Sequence, residues 1–104
     1  MKITYREEEL DLKVERYQAN NSPAITLFAE DGEPHTTITV CDEQVFLLPT
    51  EILVKTWSEN SHVVELADDK LFTDTGKRIS NGFVEYQIWE VANEELMLEI
   101  VKGY

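Results

Sequence analysis

Apolar residues recur at every second position through much of this chain, and that spacing constrains the fold more than any other feature. In "ELDLKVERY", Leu10, Leu12 and Val14 alternate with Asp11, Lys13 and Glu15. Successive side chains of a strand point to opposite faces, so the stretch reads as a strand with one buried and one solvated side. Two more β-rich runs, Ile25 to Ala29 and Thr36 to Cys41, flank Asp31-Gly32. Gly32 can take the positive φ of a tight hairpin there. "ILVKTW" reads as a fourth strand, entered after Pro49, and "FVEYQIWEV" as the clearest of all. Val84, Tyr86 and Ile88 share one face of that last strand, while Phe83, Trp89 and Val91 share the other. Apolar residues on both faces predict a central position. Thr75-Gly76 and Asn81-Gly82 mark turns.

Helical spacing takes over after Trp57, through Val63, Leu66, Ala67 and Leu71. Ser58 is the expected N-cap of one helix over residues 59–69. The tail "NEELMLEIVKG" reads as a short helix or a last strand, with helix preferred. The expected fold is therefore α+β, an antiparallel sheet of about five strands with one helix packed on it. Val84, Tyr86 and Ile88 are expected to meet that helix at Val63, Leu66 or Ala67, with Leu12 and Val54 nearby. A chain of 104 residues without repeats or a linker makes a single domain over 1–104.

The longest apolar run, Val45 to Leu48, is far short of the ~20 residues a membrane span needs. The start lacks a signal-peptide h-region, and the single cysteine, Cys41, cannot form an internal disulfide. A cytoplasmic, bacterial-type protein is the expectation.

Charge bounds the function. Lys and Arg total 9 against 21 Asp and Glu, giving a net charge of -12 and a pI of about 4.4. That exceeds the magnitude of about 2 to 8 that suits a small soluble domain. Such a field repels nucleic acid and anionic lipid and attracts basic surfaces. Direct nucleic-acid or membrane binding is not expected on this ground, and a basic protein surface is the expected partner.

Catalytic and metal motifs fail on spacing. His35 and Cys41, six residues apart on one expected strand, would lie ~20 Å apart, whereas proton transfer needs ~3 Å. Cys41 is expected as a small core or sheet-face residue and His35 as a turn-flanking surface residue. A calcium loop centred on Gly76 would place Leu71, Thr73 and Thr75 where acids belong, and a phosphate loop ending at Gly76-Lys77 would lack its first glycine. His35, His62 and Cys41 have no metal-ligand spacing. No metal, cofactor or catalytic residue is assigned.

Docking candidates are the acids and a few aromatics. The acid patches include Glu7-Glu8-Glu9-Asp11 and Asp68-Asp69-Asp74. On a strand beginning near Glu7, the residues Glu7, Glu9 and Asp11 would recur every ~6.6 Å on one face. Two axial steps of ~3.4 Å between DNA phosphates roughly match that spacing, as a nucleic-acid mimic would require. Among Trp57, Trp89, Tyr5, Tyr17, Tyr86 and Tyr104, the partly exposed candidate is Trp57, at the strand-to-helix joint.

The blocks "NNSPAITL", "EDGEP", "VKTWSEN", Thr75-Gly76 and "GFVEYQIWEV" together resemble a family of small bacterial proteins known as a domain of unknown function, number forty-three thirteen. The resemblance spans residues 17 to 91. It implies a gene carried on plasmids, conjugative elements or phages, and it implies no activity, cofactor or active site. Within it, "VKTWSEN" is a structural strand-to-helix joint.

The functional expectation is an acidic, non-enzymatic binding protein of a mobile element. Its sharpest form is an inhibitor of a host nucleic-acid-binding defence protein, of anti-restriction or anti-CRISPR type. Asp68, Asp69, Asp74, Glu7, Glu9, Asp11 and Trp57 are its expected partner-binding residues. The alternatives are a structural or oligomerising domain, monomeric or dimeric, and a small enzyme assembled from Glu85, His62 and Asp74.

Overall fold

The computed structural model describes residues 1–102. Tyr104, one of the aromatic candidates, lies outside the described residues. Four strands, β1 (Lys2–Tyr5), β2 (Glu8–Arg16), β3 (Pro23–Phe28) and β4 (Pro34–Thr37), form an antiparallel sheet in that order. Three more, β5 (Glu51–Val54), β6 (Phe72–Asn81) and β7 (Val84–Val91), form a second antiparallel sheet with β7 between its neighbours. One α-helix, α1 (Glu94–Val101), follows.

The fold is thus α+β, but seven strands in two sheets replace the single sheet of about five. The additional strands have local causes. β1 pairs with β2 across a tight turn in which Arg6 and Glu7 both take positive φ, at 52° and 67°. The expected strand to Cys41 stops at Thr37, and only Thr39 bridges onward, to Val54. Backbone bonds from Val40 N to Leu53 O and from Lys55 N to Ile38 O carry the ladder from the first sheet to the second. Thr75-Gly76, expected as a turn, is instead a bulge inside β6, where the register to β7 shifts between Asp74 and Arg78.

The expected helix over 59–69 does not form. Two short 3-10 turns, Ser58–Asn60 and Val63–Leu66, take its place. Ser58 sits at φ 59° and caps nothing with its side chain, since Trp57 occupies the cap position. The composition explains the outcome. Asn60, Ser61, His62 and the β-branched pair Val63-Val64 are weak helix formers, and Asp68-Asp69 at the far end would oppose the helix dipole. One turn suffices to bury Val63 and Leu66. The tail forms the helix. Asn93 caps it by accepting from Leu96 N at 3.0 Å, Glu94 and Glu95 occupy the first turn, and Leu96 and Ile100 are buried.

The core lies between the sheets, with Leu10, Leu12, Ile25, Leu27, Ile38, Ile52, Val54, Val63, Phe72, Trp89, Leu96 and Ile100 in one cluster. Phe72 and Trp89 rings meet at 5.6 Å. The face of β7 that meets Val63, Leu66, Leu12 and Val54 is therefore the Trp89–Val91 face, the reverse of the expectation for Val84, Tyr86 and Ile88. Ile88 is still buried, at 3% exposure, but outside this cluster and opposite Leu53 in register. Tyr86 on the same face stacks on Trp57 at 5.4 Å. Both faces of β7 bury apolar side chains, as a central strand allows.

Candidate protein-docking surface

Cations come within 3 Å of carboxylates at four places among the described residues. The terminal ammonium holds Asp11 at 2.9 Å, Lys55 holds Glu59 at 2.7 Å, Lys77 holds Glu51 at 2.8 Å, and Arg78 grips both oxygens of Asp74 at 2.8 Å. Each contact draws the acid below the ordinary carboxylate range, Glu59 to about 2. For Glu51 burial acts the other way and is outweighed by Lys77 and the Leu48 amide. Three of the nine Lys and Arg, with the terminal ammonium, thus hold four of the 21 acids, and the remaining 17 acids outnumber the remaining six cations.

That accounting separates the expected docking residues. Asp74 is neutralised by its fork with Arg78, so the Asp68-Asp69-Asp74 trio loses a charge. Asp68 accepts from the amides of Lys70 and Leu71 at 2.9 and 3.0 Å, an arrangement that fixes its carboxylate without cancelling it. The Leu71 amide is the main reason that its pKa is lowered, so it stays ionised near neutrality. Asp69 is exposed at φ 67° in the same turn. The row Glu7-Glu9-Asp11 is broken. β2 starts at Glu8 and leaves Glu7 at the turn, Lys2 lies opposite Asp11, and Lys13 follows on the same face. Glu9, opposite Thr4, keeps an exposed carboxylate. Trp57 is half-buried, with Lys55 Nζ 5.6 Å from its ring centre.

The acid patch Glu94-Glu95-Glu99, visible in the sequence, gains a neighbour that the sequence did not reveal. A groove of about 400 Å³ between β2 and α1 is lined by Met1, Asp11, Lys13, Glu15, Glu95 and Glu99. The spacing of Glu95 and Glu99, one helical turn apart beside Leu96 and Ile100, was legible. Their meeting with Glu15 depends on how α1 lies across the first sheet, which no local pattern encodes.

No family model, curated protein or solved structure matches the chain. The arrangement of side chains must therefore carry the functional argument. The catalytic candidates are dispersed. Glu85 and Asp74 both flank Arg78, while His62 lies 3.9 Å from Glu65. His35 is exposed, 3.8 Å from Glu8 and edge-on to Tyr5. Cys41, expected in the core or on a sheet face, is exposed in the loop after β4, with Asn20 as its polar neighbour. Among the described residues no three His, Cys, Asp or Glu side chains gather as a metal site. No helix there is long and apolar enough to cross a membrane.

Proposed function

We propose that this chain is an acidic binding protein that docks on a basic protein surface, one that otherwise holds nucleic acid. In its sharper form the reading makes it an accessory factor of a mobile element that blocks a host nucleic-acid-binding defence protein. The observation that carries it is the distribution of ion pairs. Close cation contacts absorb Asp11, Glu51, Glu59 and Asp74. Asp68, Asp69, Glu7, Glu9 and the groove acids Glu15, Glu95 and Glu99 have no such contact among the described residues. Asp68 caps its own turn through two amides and so presents an ionised carboxylate at a defined place on the surface. A fixed carboxylate loses less entropy on pairing with a partner's Lys or Arg, so the arrangement favours recognition.

The experiment is competition. The partner is recovered from host lysate, purified, and titrated with the chain in the presence and absence of duplex DNA. Displacement of this protein by DNA is expected. Simultaneous binding of both to the partner would refute the shared surface.

A further inference from the structure

The β6–β7 hairpin turns in two residues, Gly82 and Phe83, with Gly82 at φ 66° and Phe83 outside the positive-φ region. That is the pattern of a turn that needs glycine first and makes no demand for a bulky side chain second. Phe83 nevertheless stands at the tip, fully exposed at 110%. Turn geometry does not require it and packing does not use it. On one flank the loop after β4 brings Asp42 and Glu43 beside Asn81 and Tyr86. Neither carboxylate has a cation within ion-pair distance among the described residues. The same loop exposes a second aromatic, Phe46, at 83%.

We infer that the β6–β7 hairpin tip is an apolar anchor. Phe83 enters an apolar pocket of the partner protein, and Asp42 and Glu43 pair with Lys or Arg at the rim of that pocket. The inference deepens the proposed function and rests on it. Charge complementarity selects the occupant. An anionic lipid surface or a nucleic acid would be repelled by the acidic flank, and a second copy of this chain would bring the same negative charge to the contact. An aromatic side chain at the centre with polar groups at the rim is also the usual anatomy of a protein interface.

The test uses the full chain carrying the photoreactive residue p-benzoylphenylalanine at position 83, with position 64, an exposed valine on the second 3-10 turn, as control. Cross-linking in host lysate is followed by purification of the captured protein and titration with unsubstituted chain. Capture from position 83 and not from 64 is expected. Phe83→Ser should then weaken binding by about 30-fold, the loss that marks a hot spot, with an unchanged melting temperature. Asp42→Lys with Glu43→Lys should flatten the salt dependence. No capture from position 83, or Phe83→Ser binding as tightly as the parent, overturns the anchor. If that tight binding is still weakened by salt and DNA, the acidic docking reading survives alone. Binding lost in Phe83→Ser but indifferent to salt and DNA would instead overturn acidic docking and the basic rim with it.

Discussion

Replacing Asn60 with alanine should be among the most damaging single polar changes in the chain. Its side chain, in a residue only 1% exposed, ties the first 3-10 turn to β4 and to Lys55, the residue after β5. It donates to Thr37 O at 2.8 Å and to Lys55 O at 3.3 Å, and it accepts from the Thr36 hydroxyl at 2.8 Å. Alanine leaves two carbonyls and a hydroxyl without this partner. At about 1 kcal/mol for each net bond, and more where the orphaned group stays dry, the loss is about 2 to 4 kcal/mol. That is a large share of the ~5 to 15 kcal/mol that holds an ordinary domain together. For a chain of this size it should lower the melting temperature by about 10 to 25 °C. Urea denaturation should show a reduced midpoint with an unchanged m-value. Asn60→Asp sharpens the test, because a carboxylate facing two carbonyls is disfavoured. Its folded-state pKa would be raised, so Asn60→Asp should lose stability as pH rises from the unfolded value near 4 through the higher folded one. A shift below about 0.5 kcal/mol for Asn60→Ala would refute the view that "WSEN" is held as a structural joint.

Three further outcomes follow from the packing and the ion pairs. Lys77→Ala should cost about 1 to 2 kcal/mol at pH 7, a modest figure because Lys77 is half-exposed although the Glu51 side chain is only 5% exposed. Glu51 has a lowered folded pKa, so its contribution is present above the unfolded value near 4.3 and is lost as pH falls through the folded one; parent and Lys77→Ala stabilities should converge toward pH 3, as acid-titrated denaturation would show. Trp89→Ala should cost about 3 to 5 kcal/mol and Ile88→Ala about 2, since only Trp89 belongs to the main cluster; equal melting curves would contradict the assignment of faces. Asp74→Asn should change partner affinity little, whereas Asp68→Lys with Asp69→Lys should weaken it at least tenfold, measured by calorimetry.

Local alternation revealed the strands that have it. Leu10-Leu12-Val14 and the hairpin at Asp31-Gly32 were readable because period-two patterning and turn chemistry act within a few residues. β7 was readable as central from its two apolar faces, but which face meets the main core was not, because both are apolar. The helical spacing of Val63, Leu66 and Ala67 misled for a physical reason. It records which side chains must be buried, and a 3-10 turn buries Val63 and Leu66 as well as a helix would. β6 was hidden because Thr75-Gly76 is a turn signal locally, while its bulge is set by the partner strand. The acids were visible as a total, but which ones keep their charge was not. Arg78 cancels Asp74 across a bulge, and Glu15 meets Glu95 and Glu99 only once α1 has packed. Phe83 stood in plain view beside Gly82, yet its full exposure depends on the hairpin that carries it.

The most direct measurement of the central claim is the affinity for the purified partner from 50 to 500 mM salt (on the order of a tenfold range). Uncompensated carboxylates meeting a basic surface should make affinity fall steeply with salt, over a Debye length shrinking from ~14 to ~4 Å. Asp68→Lys with Asp69→Lys should flatten that dependence, and Asp74→Asn should leave it as it was. An affinity that does not change across the range would contradict acidic docking.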